Sequence, residues 1–337
     1  MRTVRTVTPD PTIITTTTSS AATPRVRLAL LTIVLFFGGS MPAYKLASPS
    51  FGPATTNLIR FSIATVVLMF VARKRLRVER EQFVRLLVVG MFGLGLMAVF
   101  MGIGIDRGSA TIGSIVVGLE PIGVALAGVL LVGDAPSVRS IVALVVGFCG
   151  ALVASGVFTE PSGKTPMLPM ALMFGTVVTF SIYTAMVRRV ARGMDPLAVA
   201  AITQLGALCF VVPACLFDVF DGGMLRGDSV SGKASGAVVF LGVGSAIGYL
   251  LLCTVLASQP SSRVAVSMFL TPLIGVALSW AAVSEKLHVR TGVGGLIVLL
   301  AVWISEWAPS RFRRVSRSDA LPLSGEFGHA PPLRRAP

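Results

Sequence analysis

The feature that most limits what this chain can become is a train of ten apolar runs, each close to twenty residues long. A helix of ~20 residues rises ~30 Å, the thickness of a bilayer's hydrocarbon layer. The runs begin at residues 28–46, include 110–132 and 264–283, and end at 289–307. Glycine, proline or charge marks each gap, and several gaps are short enough to place neighbouring helices antiparallel. Inside lipid every backbone polar group must be satisfied within the segment, which such long runs achieve as helices. The expected fold is an all-α integral membrane protein with ten transmembrane helices.

Composition removes the alternatives. Strongly apolar types make up 54% of the chain and charged types only 13%, about half the ~25% of soluble domains. Such a chain cannot clothe a water-facing surface, so a soluble enzyme is excluded. The net charge of +14 invites a nucleic-acid reading, but the cations sit in tails and short loops rather than in a patch interleaved with aromatics. Cys149, Cys209, Cys215 and Cys253 lie in apolar runs without CxxC spacing and read as buried small hydrophobes. With two histidines in the chain, no histidine-rich metal site is expected, and no cofactor.

The charges that remain set an orientation. With the N-terminus inside, 21 of the 29 Lys and Arg residues fall on the cytoplasmic side and 7 outside, Arg60 lying within a span. That asymmetry predicts both termini in the cytoplasm. Residues 1–26 and 309–337, rich in Thr, Ser, Pro and Arg, read as disordered cytoplasmic tails. The expected location is a bacterial plasma (inner) membrane, crossed many times.

The chain also repeats itself. Leu119-Glu120-Pro121 matches Leu270-Thr271-Pro272 at a shift of 151, and the same shift pairs Asp134 with Glu285 and Arg139 with Arg290. A shift of 143 pairs Phe37 with Phe180, Lys45 with Arg188 and Pro53 with Pro196. The two halves are residues 27–160 and 166–308, with five spans each. An odd number of spans per half forces the halves into opposite orientations, the inverted-repeat plan of secondary transporters, with a site near mid-membrane between them.

Phe37-Gly38 with Lys45, Arg60 in the second span, and the two Pro segments ending in Asp134 and Glu285 together resemble the EamA family of the drug/metabolite transporter superfamily. Phe replaces the commoner Trp at 37, and Asp replaces Glu at 134. The resemblance implies gradient-driven transport, often export, of small metabolites or drugs.

Glu120 is the one acid expected in the middle of a span. A carboxylate there costs roughly 2.5–3.5 kcal/mol on insertion scales, so it faces a cavity or a partner. It is either a group that binds and releases protons or a paired acid that holds its helix. Arg60 lies about 10 Å below the outer edge. It snorkels, binds a substrate carboxylate or phosphate, or pairs with Glu120. Lys45 reads as an interfacial anchor. Pro121 and Pro272 are candidate helix hinges, each freeing a carbonyl. Asn57, Tyr183, Gln204 and Tyr249 line a substrate path or satisfy neighbouring helices. Asp134 and Glu285 are expected in loop salt bridges near Arg139 and Arg290. Asp218 and Asp221 are expected to be solvated loop charges, and the glycine-rich stretches 93–95 and 242–248 to be close helix contacts.

The expected function is a secondary active transporter using an ion gradient, with protons the coupling candidate. Its partners are a small-molecule substrate, the lipid bilayer and, as an open option, a second copy of itself. The competitors are a non-transporting receptor or scaffold and a membrane-embedded enzyme. HExxH, GxSxG and paired in-membrane aspartates are absent from the sequence.

Overall fold

A computed structural model of the chain describes residues 24–107, 118–134, 136, 138–155, 167–220, 223–226, 230–283 and 289–306. Among these residues the architecture is helical, with a single isolated β-bridge between Phe51 and Leu225. Six helices are long and apolar enough to cross a membrane: α1 (Pro24–Ala47), α2 (Pro53–Ala72), α3 (Arg80–Arg107), α6 (Met167–Val190), α7 (Pro196–Phe220) and α8 (Gly232–Ser258). The shorter apolar helices are α4 (Glu120–Val132), α5 (Val138–Ser155) and α11 (Val289–Glu306). A pair lies between α8 and α11: α9 (Ser261–Met268) and α10 (Leu270–Val283).

Two expected spans differ from their sequence reading. The run 264–283 is divided at Phe269, whose N–H reaches back only three residues to Val266 O (3.2 Å). Pro272 has no N–H to offer the carbonyl of Met268, so the α-helical ladder cannot run through unbroken. The run 110–132 is described only from residue 118, and Glu120 stands as the first residue of α4 behind a turn at residues 118–119. Glu120 is thus at a helix start rather than inside a continuous helix. Pro121 follows it in the first turn, where a missing N–H breaks no helical bond. The break between α9 and α10 therefore lies just before Pro272, at the carbonyl its missing N–H leaves free, and Pro121 stands in the first turn of α4.

Helices that are apolar on all faces belong in lipid or in a large core, and here they divide the two roles. Leu31, Phe70, Leu130, Phe220, Leu296 and Trp303 point outward. Inward, glycine allows helices to meet closely. A Cβ at Gly206 of α7 would stand 2.2 Å from Leu87 O, and one at Gly90 of α3 would stand 2.1 Å from Thr203 O. Backbones of α3 and α7 therefore touch directly, where α3 makes a π-helical turn over Gly90–Gly95. Gly93 against Tyr183, and Gly242, Gly244 and Gly248 against Ile63, Phe36 and Phe37, are close packing sites of the same kind.

Packing partners come in pairs related by exchanging the chain's halves. Helix α1 packs on α8 as α3 does on α6; α1 packs on α10 as α4 does on α6; α2 packs on α8 as α3 does on α7. Helices α2 and α7 pack on each other, and so do α5 and α11. Polar ties fix the direction of α2 against α7. At the start of α2, the Asp218 carboxylate from the end of α7 accepts from Ala54 N (3.2 Å), Thr55 N (2.7 Å) and Thr55 Oγ1 (2.8 Å). Beyond the end of α2, Arg75 bonds Asp195, which precedes α7 (3.2 Å). The two helices run antiparallel, pinned at both ends.

Candidate functional site: a buried polar network around Arg60

Arg60 is the eighth residue of α2 and only 3% exposed, in a helix with no other charged residue. Its Nε donates to Ser245 Oγ of α8 (2.5 Å) and its Nη1 to the Tyr44 hydroxyl of α1 (3.1 Å). The Tyr249 hydroxyl of α8 lies within electrostatic reach of the guanidinium. Tyr44 donates its own O–H to Asn57 Oδ1, so its oxygen is left as the acceptor for Arg60. Asn57 Nδ2 is spent on Pro53 O (3.0 Å) and Ala98 O (2.9 Å). The guanidinium also lies 5.3 Å from the Phe61 ring centroid and 5.9 Å from that of Tyr44, within cation–π range.

Aromatic rings continue from there. Tyr249 lies 5.2 Å from Phe37 and 6.0 Å from Tyr183, and Phe180 lies 6.3 Å from Phe37 and 6.2 Å from Tyr183. Tyr183 OH contacts Thr203 Oγ1 (3.3 Å) and Cys253 Sγ (3.8 Å). Cys253 in turn lines a cavity of about 250 Å³ bounded by Arg188, Arg192, Met194, Val199 and Ser258. A chain of contacts thus leads from this cavity through Tyr183 and Tyr249 to Arg60. Tyr249 is also within electrostatic reach of Glu120. Glu120 itself is partly buried, and its carboxylate makes no hydrogen bond or ion pair among the described residues.

The two ends of the bundle are tied differently. At the end holding the α2 start, Arg226 grips Asp106 with two bonds of 2.6 and 3.0 Å, and Gly52 N and Arg226 N bond Met224 O and Ser50 O. At the cavity end, Gly133 takes φ +77°, a left-handed turn natural to glycine. The turn carries Asp134 back to pair with Arg188 (3.0 Å) and to accept from Ser261 N (3.1 Å).

The sequence of this chain matches the EamA-like transporter family twice, over residues 25–156 and 167–307. The chain belongs to that family. An EamA-like protein is a membrane transporter of the drug/metabolite transporter superfamily and not an enzyme. Similar proteins include an uncharacterized transporter of Archaeoglobus fulgidus, 25% identical over 82% of this chain and 97% of its own length. The uncharacterized transporter YvbV of Bacillus subtilis is 24% identical over 83% of this chain and 91% of its own length. A protein of known crystal structure shares the fold with a TM-score of 0.69 at 17% identity, covering 83% of this chain and 96% of the other.

Within this EamA-like protein, Arg60, Tyr249, Tyr183 and Asn57 lie in one connected network. Arg60 does not snorkel: it is enclosed, and it forms no ion pair with Glu120. Gln204 is fully buried with both amide atoms unpartnered among the described residues, so neighbouring helices do not satisfy it. Lys45 is exposed in the last turn of α1. Asp218 is 4% exposed and caps α2, which corrects the solvated reading; Asp221 lies outside the described residues. Asp134 pairs with Arg188 rather than Arg139, because the turn at Gly133 aims it across to α6; Glu285 lies outside the described residues. Cys149 and Cys209 are exposed while Cys215 and Cys253 are buried, so the four-buried expectation holds for two; the others sit on outward-facing helix surfaces.

Residues that sequence reasoning passed over are Tyr44, Ser245, Thr203 and Cys253. One signal was available for Tyr44. The chain has only three tyrosines, and all three meet in this network.

Proposed function

We propose that the protein is a secondary active transporter that exports small metabolites or drugs, driven by a proton gradient through alternating access between two inverted five-helix halves. The reading rests most on one observation: Arg60 of the first half is held by Ser245 of the second. A buried ionisable residue held across a helix interface inside a membrane bundle marks a functional site by default. Support for inversion comes from the exchange-related packing pairs and from the antiparallel course of α2 and α7. Transporters of this plan place the site at the interface of the repeats.

Glu120 carries the coupling. Its unpartnered carboxylate can take up a proton without first breaking a bond inside the protein. Tyr249 lies within electrostatic reach of both Glu120 and Arg60, so a change of charge at Glu120 is felt near the cation. The loop cations give the orientation: both termini in the cytoplasm of a bacterial cell, and the cavity beside Arg188 and Arg192 on that same side.

The test has two steps. A metabolite and drug-tolerance screen of cells lacking or overproducing the protein supplies a transported compound. Purified protein in proteoliposomes then transports it with and without an imposed pH gradient. Wild type should accumulate the compound with the gradient, whereas Glu120→Gln should retain exchange and lose gradient-driven accumulation. Full gradient-driven transport by Glu120→Gln would make Glu120 structural.

A further inference from the structure

Resting on the transport reading, we infer that the transported molecule is an organic anion, a carboxylate or phosphate with an apolar body, whose negative group docks on Arg60.

The charge balance around Arg60 carries this. A guanidinium is permanently charged and presents five N–H donors. Two side-chain acceptors meet it: the Ser245 and Tyr44 hydroxyls. Both are neutral. No acid among the described residues pairs with Arg60, and Glu120 makes no bond to it. Buried charges in proteins are paired, because desolvation costs several kcal/mol per ion and hydroxyl acceptors return only part of it. The resting site therefore holds a cation whose counter-charge is missing and whose remaining donors form a fork suited to a carboxylate or phosphate.

The surroundings describe the rest of the molecule. Phe37, Phe180, Tyr183 and Tyr249 form a continuous set of ring contacts, and Tyr249 lies within electrostatic reach of Arg60. The set reaches Cys253 through Tyr183, and Cys253, Arg188 and Arg192 line the cavity. Cations at the mouth raise the local concentration of anions, and the rings accept an apolar body at little desolvation cost. Gln204, buried with both amide atoms unpartnered, sits next in sequence to Thr203, which contacts Tyr183. It offers an amide NH₂ as donor and a carbonyl oxygen as acceptor to polar groups on that body. A cationic or neutral substrate would bring Arg60 no counter-charge.

The test uses the purified full-length chain in detergent and a set of probes with one body: benzoate, phenyl phosphate, benzyl alcohol and benzylamine, at matched ionic strength. The readout is the unfolding temperature of wild type, Arg60→Lys and Arg60→Met. Benzoate or phenyl phosphate should raise the wild-type value with a saturable dose response, while benzyl alcohol and benzylamine leave it unmoved. Arg60→Lys should keep a reduced response. Arg60→Met should lose it and, without ligand, unfold no lower than wild type, because it removes a cation that lacked a counter-charge. The inference is overturned if neither anion stabilises wild type. It is overturned equally if the alcohol or amine stabilises as well as the anions, or if the anion response survives in Arg60→Met. A markedly lower unfolding temperature for ligand-free Arg60→Met would instead make the cation a structural cross-link. Counterflow of benzylamine or benzyl alcohol in proteoliposomes separates the two failures: it would leave the transport reading standing while removing the anion.

Discussion

At the scale of single residues, the polar atoms that matter are those that join helices from different halves. Asp218 is the plainest case. Its carboxylate satisfies two orphan N–H groups and one hydroxyl at the start of α2, where the helix dipole also favours negative charge. Asp218→Ala should destabilise the protein by about 2–4 kcal/mol, the sum of a lost cap and charge-assisted bonds. Asp218→Asn, which keeps one acceptor oxygen, should lose less. Thermal unfolding of the purified variants measures the difference, and equal losses would contradict it. The sequence reading put Asp218 in a solvated loop beyond a span, because a charge after an apolar run looks the same whether it faces water or a neighbouring helix start. Arg60 was legible as unusual for the opposite reason: nothing else charged stands in its helix. Its partners Tyr44 and Ser245 lie 16 and 185 residues away, and no local pattern announces a contact made across the bundle.

At the scale of elements, glycine decides how closely helices meet. The contact of α3 with α7 needs Gly90 and Gly206 because backbone atoms, which cannot move aside, occupy the space a Cβ would fill. Gly206→Ala should separate the two helices at a cost of at least the ~1–3 kcal/mol of an overpacked core, with reduced yield of folded protein. Gly236→Ala, on α8 with open space around it, should change stability by no more than about 1 kcal/mol. Size-exclusion profiles and unfolding temperatures of the two variants check this; similar behaviour would show that α3 and α7 are free to part. The sequence disclosed the glycine clusters and their packing role, since no strand or nucleotide motif accompanied them. Helix interruptions were less visible. Apolar character runs on across Phe269, and only the missing N–H of Pro272 hints that the ladder stops one turn earlier.

At the scale of the whole molecule, two family matches in one chain, exchange-related packing and the antiparallel α2–α7 pair all fit one plan. The six long membrane helices were readable because lipid imposes length and apolarity on every crossing. Which end of the bundle is closed was not readable, because it depends on loop contacts such as Arg226 with Asp106 and Phe51 with Leu225. On the proposed orientation those contacts shut the outer face, and the cavity bounded by Arg188, Arg192 and Cys253 opens to the cytoplasm. The central claim is a buried site reached from one side at a time. Cys253 tests it directly, as a natural thiol on the cavity wall. The protein is prepared with Cys149, Cys209 and Cys215 replaced by serine and placed in inside-out and right-side-out membrane vesicles with a membrane-impermeant thiol reagent. Modification of Cys253 in inside-out vesicles, with little in right-side-out ones, is the predicted result. Equal modification from both faces, modification from the outer face alone, or none from the cytoplasmic face would contradict it.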